Sequence, residues 1–228
     1  MNFKKLRQMI EIKGNGNIVS KEIPVSSFIR LHLAAKGLIE LLPSDEEKVI
    51  IETDENLFDY FEVVNSGRTL YISSEAKFRK PSFTKCIIKV YLRQIDTLYV
   101  RCDGGDVNCS KAITLDNPLE IKIQSIGNTN LNICAPAIKV LSQCSGNVTL
   151  KGKCGTLTIK NQSEGNLFAL EMDADELSIR NMAEGNVELY ANRSISIAHW
   201  GQGDVHYAGN AVLTDVKQYG NGMIKHVK

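Results

Sequence analysis

Short alternations of apolar and polar residues recur along the chain at a nearly constant spacing. Gly-Asn or Gly-Asp pairs begin at positions 105, 127, 146, 165, 185 and 203, so successive pairs are 22, 19, 19, 20 and 18 residues apart. An apolar residue stands six positions before most of these glycines, and we place Val100, five positions before its glycine, in the same column. The other members of the column are Leu31, Ile121, Val140, Ile159, Ile179 and Ile197. Each repeat is therefore predicted to contain two short strands with period-2 apolar faces, separated by turns.

Columns that align over six successive repeats favour a coiled sheet over other β folds. The leucine-rich repeat frame is absent, and the strands of a sandwich or barrel need not share one register. We predict an all-β parallel β-helix or solenoid, right-handed by the preference of parallel crossovers, with roughly 19–20 residues per coil. A single solenoid domain would span 1–228, with first coils in 10–41, irregular strands or an insertion in 42–97, and regular repeats in 98–225.

The turn residues predict polar ladders at the corners of the coils. Glycine is expected to supply positive φ at each corner, and the residue that follows it is usually Asn. Stacked Asn side chains can bond to one another and to the next coil's backbone. We call the predicted row the corner Asn ladder; its members are Asn128, Asn147, Asn166 and Asn186. A second ladder is predicted from Asn161 and Asn181, with His199 as its cap.

Several segments resemble one bacterial family. They are Lys13–Val19 (KGNGNIV), Phe28–Leu31, Ile39–Leu41, Val49–Leu57 with its Asp-Glu-Asn-Leu turn, the Gly-Asn-Val repeats and Gly203–Asn210. This pattern is similar to the putative auto-transporter adhesin head domain, or GIN domain, over about residues 10–225. The resemblance implies a β-helical, non-enzymatic domain, often exported to the cell envelope, and it carries over no catalytic or ligand residues. The residue before each corner glycine, often Ser in the family, is here Ser145, Glu164, Glu184 or Gln202.

Charge and composition exclude several partners. Lys and Arg total 27 against 26 Asp and Glu, so no strong field favours nucleic acid or an anionic membrane. No apolar run approaches the roughly 20 residues of a transmembrane helix. The basic start lacks the apolar region of a signal peptide. We therefore expect a cell-envelope location from the family resemblance, or a cytoplasmic one if the chain is complete as given.

The six cysteines are expected to be free or buried thiols. The closest pairs are Cys102 with Cys109 and Cys144 with Cys154, and neither has the Cys-x-x-Cys spacing of a redox or zinc motif. A chain of this length does not need disulfides to hold its core together. No cofactor or metal site is predicted, because His199, Asp204 and His206 offer too few ligands in a suitable arrangement.

Three residues are candidates for ligand binding. Trp200, the only tryptophan, would stack a sugar on the side of the solenoid. Glu164 and Glu184 precede corner glycines and are expected one coil apart, the arrangement from which a paired acid and base could be built. The sequence favours two solvated carboxylates over a catalytic pair.

The predicted function is that of a non-catalytic binding or structural solenoid of the adhesin-head type. Its extended face would be presented to a glycan or a protein, and its end coils are candidate sites of homo-oligomerisation because a solenoid leaves strand edges at its ends. Met1–Met9 is the candidate cap of the first coil. Two alternatives remain open at this stage: a polysaccharide lyase or hydrolase of β-helix type, and a cytoplasmic accessory protein that shares the domain.

Overall fold

The computed structural model describes residues 10–74 and 79–227, and the predicted cap at Met1–Met9 lies outside them. Strands account for most of this chain, with a 3₁₀ helix at Glu55–Tyr60. The strands are β1 (Ile10–Lys13), β2 (Ile18–Pro24), β3 (Arg30–Ala34), β4 (Leu38–Pro43), β5 (Lys48–Asp54), β6 (Glu62–Ser66), β7 (Thr69–Ser73), β8 (Arg79–Ser82), β9 (Cys86–Leu92), β10 (Thr97–Val100), β11 (Val107–Asn108), β12 (Ile113–Thr114), β13 (Leu119–Ile123), β14 (Thr129–Ser142), β15 (Val148–Asn161), β16 (Leu167–Ala169), β17 (Met172–Asn181), β18 (Val187–Tyr190), β19 (Ser194–His199), β20 (Val205–Ala208), β21 (Val212–Gln218) and β22 (Ile224–His226).

The strands stack in parallel into a β-solenoid of about 7 turns, which confirms the predicted fold class. One face has the order β7-β3-β10-β13-β14-β15-β17-β19-β21. The other has the order β9-β4-β11-β14-β15-β16-β18-β20-β22. The long strands β14 and β15 bend from one face to the other, and so contribute to both.

The core is a set of apolar columns that run along the solenoid axis. One column joins directly paired residues on successive coils: Ile121, Val140, Ile159, Ile179 and Ile197, each at most 1% exposed. Because each side chain packs on the equivalent side chain of the next coil, stability accumulates coil by coil, at about 25 cal/mol per Å² of buried apolar surface.

The predicted register is wrong by two residues in one coil. Leu98, rather than Val100, pairs with both Leu31 and Ile121, and Val100 pairs with Ile123. The turn at Asp103–Gly105 is longer than the later turns, with positive φ at Gly104 and Gly105, and it absorbs the difference. Counting back from the glycine therefore misplaces this strand.

The spatial order of the first coils differs from their order in the sequence. β7 and β9 form the outermost coil, although they follow β3 and β4 in the chain. The coil of β3 and β4 lies between that outer coil and the coil of β10 and β11. Strands β2, β5 and β6 run antiparallel to their neighbours and cover this end of the solenoid.

Two of the recognised motifs meet at this closed end. The Asp54 carboxylate is fully buried and accepts hydrogen bonds from the backbone amides of Gly16 and Thr84, both at 2.8 Å. Asn56 Oδ1 accepts a further bond, at 3.0 Å, from the amide of Asn15. Burial by itself would raise the pKa of Asp54, but these backbone donors outweigh it and hold the pKa below its usual value. The Gly-Asn-Gly-Asn loop is thus folded around one buried carboxylate.

The corner glycines serve close packing, and the expectation that they supply positive φ is wrong for most of them. Gly37 and Gly105 have positive φ, whereas Gly127 and the corner glycines after it do not. A Cβ atom on Gly146 would lie less than 3.0 Å from the carbonyl oxygen of Gly127, and the later corners repeat this geometry. Successive corners therefore approach too closely for any side chain.

All six cysteines are free thiols, in agreement with the expectation from the chain length and the spacing of the cysteines. Burial raises the pKa of Cys102 to about 11, and that of Cys86 and Cys154 to about 12, where nearby aspartates add to the effect. These three side chains are therefore protonated at neutral pH and behave as small apolar core residues.

Candidate functional site

The corner Asn ladder bonds each coil to the next. Asn128 Oδ1 accepts from the amide of Asn147 at 3.0 Å, Asn147 Oδ1 from that of Asn166 at 2.9 Å, and Asn166 Oδ1 from that of Asn186 at 2.8 Å. Aspartates extend the row at both ends: Asp106 Oδ1 accepts from the Asn128 amide, and the Asp204 amide donates to Asn186. In each bond a corner amide finds an acceptor on the preceding coil.

The second ladder joins Asn161, Asn181 and His199, and it lies inside the solenoid instead of on the surface of a corner. Asn161 Nδ2 donates to Asn181 Oδ1 at 3.0 Å, and Asn181 Nδ2 lies 3.1 Å from His199 Nδ1. All three side chains are fully buried. Because the Asn181 amide nitrogen is the donor, His199 Nδ1 accepts and the neutral ring carries its proton on Nε2. Burial lowers the pKa of His199, with the backbone of Gly222 and the charge of Asp204 opposing the shift.

Glu164 and Glu184 occupy the same corner position on neighbouring coils. The Glu164 amide donates to Cys144 O, and the Glu184 amide donates to Ser163 O, one coil further on. Gln202 follows at the equivalent position, where its amide donates to Ala183 O. Both glutamates and Gln202 are exposed, so the row presents carboxylates and an amide to solvent.

Trp200 belongs to a parallel row on the other side of the same corner. This row begins as a chain of glutamine amides: Gln124 donates to Gln143 at 2.9 Å, and Gln143 donates to Gln162 at 3.0 Å. It then becomes apolar and aromatic at Met182, Trp200 and Tyr219. The rings of Trp200 and Tyr219 stack at 5.1 Å with only 13° between their planes.

The two rows together form one surface, which we call the corner strip: Met182, Trp200, Tyr219, Glu164, Glu184 and Gln202. One inward-facing residue per coil, such as Ala183, separates the rows. Met182 is 40% exposed, Trp200 43% and Tyr219 64%. Exposed aromatic surface bordered by hydrogen-bonding groups is suited to binding a partner that is itself amphipathic.

A polar groove, which the sequence did not reveal, interrupts the other face. β11 has only two residues, and the chain then leaves the sheet, so a cavity of about 350 Å³ remains beside it. Asn130 Nδ2 donates to Asn108 Oδ1 at 2.8 Å within this groove, and Asn132 and Lys151 lie further along it. The signal was present as the Asn-x-Asn alternation at 130–132, which places two amides on an outward face.

Metal-binding groups are dispersed over the part of the chain that the structure describes. No three His, Cys, Asp or Glu side chains in residues 10–74 and 79–227 are close enough to hold an ion. Within the same ranges no helix is long and apolar enough to cross a bilayer.

Comparison with protein families finds one family model that matches most of the chain. The model of the family described as "Putative auto-transporter adhesin, head GIN domain" matches residues 27–211, which include every residue of the corner strip except Tyr219. The chain belongs to this family. The GIN domain contains Glu164, Glu184, Trp200 and the corner Asn ladder, whereas Tyr219 follows the matched range.

Solved structures share the fold of this GIN domain. A structure described as a putative adhesin from Bacteroides fragilis is 23% identical, with a TM-score of 0.89, and the match covers 95% of this chain and all of that one. A putative adhesin from Parabacteroides distasonis is 21% identical, with a TM-score of 0.73, 95% of this chain and all of the other being covered. A protein from the same organism, described as a putative lipid binding protein, is 22% identical with a TM-score of 0.70 and covers 96% of this chain with its whole length.

These likenesses establish the fold and leave the ligand open. All three identities are low, and the names of the neighbours differ between adhesion and lipid binding. The search of curated proteins found no match to this chain. The ligand must therefore be inferred from the surface of this chain.

Proposed function

We propose that this GIN domain is a non-catalytic binding module of the adhesin type and that its corner strip binds a glycan. The observation that carries the proposal is the exposed Trp200–Tyr219 stack, adjacent to the carboxylate and amide row of the same corner. Sugars present apolar C–H faces beside hydroxyl groups, so an aromatic edge next to hydrogen-bond acceptors complements them. The adhesin names of the family and its structural neighbours agree with a binding role.

The repeat spacing supports an extended ligand over a compact one. Equivalent side chains in adjacent coils stand about 4.8 Å apart, so the three apolar residues and the three polar ones form two parallel rows. A polymer lying along the solenoid axis would contact Met182, Trp200 and Tyr219 in turn. Because each coil adds a similar contact, affinity is expected to increase with the length of the oligosaccharide.

The same surface would also suit a protein partner, which is the alternative to distinguish. Aromatic residues are enriched at protein interfaces too, and a protein ligand would depend less on the two carboxylates. Competition by soluble oligosaccharides separates these cases, because it releases a glycan-bound domain and leaves a protein complex intact.

The test is a glycan-array measurement on the full chain, with Trp200→Gln as the main variant. Glutamine already occupies the equivalent positions 124, 143 and 162, so the substitution removes the ring and introduces a side chain that this row accommodates. The wild type is expected to bind a subset of oligosaccharides, and Trp200→Gln is expected to lose at least tenfold in affinity, since removing an aromatic residue from the centre of a binding surface costs about 2 kcal/mol or more.

The matched control is Gln143→Ala, in the same row but three coils away from Trp200. It should fold and bind as the wild type does. If Trp200→Gln binds the same sugars equally well, or Gln143→Ala is impaired to the same degree, the corner strip is not the binding surface.

A further inference from the structure

The two ends of the solenoid differ in how their edge strands are protected from pairing with another chain. At one end the edge strands β2 and β6 carry Lys21, Glu22, Pro24 and Glu62, which are features that disfavour pairing with another chain. At the other end, β21 pairs only with β19 among the strands that the structure describes, and β22 pairs there only with β20. One edge of each final strand is thus left without a partner strand in the described chain.

The open end also exposes the apolar columns. Val216 is in register with Ile197, and Leu213 with Ile195. The isoleucines are at most 1% exposed, whereas Val216 is 42% and Leu213 41% exposed. Val212, Tyr219 and Met223 are exposed as well, at outward positions of the same coil. Within residues 10–74 and 79–227, the end coil has the side chains of a core layer and no further coil packs on them.

The charges of β21 are complementary to a second copy of the same strand. Asp215 and Lys217 flank Val216, and both lie on the outer surface, joined to each other by a 3.0 Å ion pair. If two β21 strands pair antiparallel with Val216 opposite Val216, each Asp215 lies opposite a Lys217 of the other copy. Centring the pair on Asp215 or on Lys217 would instead place like charges opposite one another, which is destabilising.

The remaining positions agree with this register. Thr214 would lie opposite Gln218, so polar residues meet on both sides of the central three. Thr214 is the bulged residue of β21, and its hydroxyl donates to Ile195 O at 3.1 Å. The central three residues, Asp215 to Lys217, belong to the regular part of the edge after the bulge, and the proposed pairing is centred on them.

From these observations we infer that two copies of this chain join end to end through β21, related by a two-fold axis at Val216. The closed end cannot offer the same unpartnered apolar edge, so the contact is isologous and stops at a dimer instead of growing into a fibre. The dimer would join the open cores of two solenoids and carry two corner strips. This inference is independent of the proposed glycan binding.

The experiment measures the mass of the full chain in solution by light scattering and sedimentation over a range of concentrations. The wild type is expected to form a dimer. Asp215→Lys places lysines opposite lysines, and Lys217→Asp places aspartates opposite aspartates, so each single variant should weaken the dimer at least tenfold. The double variant Asp215→Lys/Lys217→Asp exchanges the charges and should restore dimerisation.

A mixing experiment gives a positive result for the same register. Asp215→Lys contributes two lysines and Lys217→Asp two aspartates, so the two weakened variants should form a heterodimer when combined. The matched control is Lys160→Asp, in the same outward column as Lys217 but three coils inside, which should dimerise as the wild type does. A wild type that stays monomeric at every concentration, or a dimer that tolerates both single reversals, would overturn the inference.

Discussion

Neighbouring residues of one strand contribute unequally to stability, because one side chain faces the core and the next faces solvent. Ile159 is 1% exposed and pairs with Val140 and Ile179 on the neighbouring coils. Its neighbour Lys160 points outward and is exposed. The backbone of both residues belongs to the same parallel ladder, so a comparison between them isolates the contribution of the buried side chain.

We expect Ile159→Asn to destabilise the protein by about 3–5 kcal/mol, because it removes buried apolar surface and leaves an amide without partners inside the column. Lys160→Asn, its outward control, should change stability by less than about 0.5 kcal/mol. Thermal and urea unfolding monitored by circular dichroism would measure both. Equal stabilities of the two variants would refute the proposed alternation of inward and outward positions.

At the same scale, the sequence predicted which residues are buried better than it predicted why the corner residues are there. Period-2 alternation identifies inward positions such as Ile159 because apolar side chains on one strand face must share one environment. The glycines were misinterpreted: Gly146 is required by the carbonyl oxygen of Gly127 on another coil, and a contact between coils cannot be seen in a local turn pattern.

At the scale of elements, the corner Asn ladder is a repeated acceptor for the backbone of the next coil. We expect Asn147→Ala to lower stability by about 1 kcal/mol, because the amide of Asn166 loses its acceptor. Asn147→Asp should retain most of the stability, since aspartate fills this role naturally at Asp106 and Asp204. Denaturant unfolding of the three proteins tests this, and equal losses for both substitutions would argue against the bond.

The buried ladder makes stability depend on pH through His199. Its folded-state pKa is lowered, so below about pH 6.5 the unfolded chain binds more protons than the native one. Above about pH 6.5, His199 therefore does not lower the free energy of unfolding. As the pH falls from there to the folded-state pKa, the free energy of unfolding decreases. Protonated Nδ1 would also face the donor Asn181 Nδ2.

We expect His199→Asn to remove part of this dependence, because an amide can continue the ladder without titrating. Melting temperatures of wild type and variant at pH 7.5 and pH 5.5 are the measurement. The wild type should lose more on acidification than the variant does. His32, whose pKa is also lowered by burial, is present in both proteins and cancels in the comparison. Identical acid losses would exclude His199 as a source.

The strands of the first coils were easier to predict from the sequence than their order in the solenoid. Between residues 42 and 97 the sequence predicts irregular strands, and the β-branched segments at 49–51, 70–72 and 87–91 lie in strands β5, β7 and β9. Their arrangement, with β7 and β9 outside β3 and β4, has no signature in one sequence, because like columns pack equally well in either order. The sequence did not predict the groove beside β11 either. The Asn-x-Asn alternation at 130–132 indicates outward-facing amides, but the groove itself results from the shortness of β11, which no motif marks.

At the scale of the whole molecule, the described part of the solenoid has one end covered by antiparallel strands and one end whose strand edges have no partner strand within it. At the closed end Asp54 accepts hydrogen bonds from the backbone and antiparallel strands cover the core, whereas the open end exposes Leu213 and Val216. The corner strip lies in the last coils, close to the open end, because Tyr219 directly follows β21. A dimer through β21 would bring two strips near one another and increase binding to a repetitive ligand through avidity.

The fold and the family were predictable from the sequence, whereas the sequence offered only separate candidate residues for the proposed binding surface. Trp200, Glu164 and Glu184 were each identified, but their assembly with Met182 and Tyr219 depends on stacking between coils. Tyr219 in particular stands outside the repeated motif, so its contact with Trp200 required the structure.

The most direct test of the central claim, binding without catalysis, is to recover a retained oligosaccharide from the full-length protein and determine its mass. We predict that the wild type retains the sugar and releases it unchanged after prolonged incubation, and that Trp200→Gln does not retain it. A shortened or unsaturated product that disappears in Glu164→Gln/Glu184→Gln would show instead that this corner is the active site of a polysaccharide lyase or hydrolase.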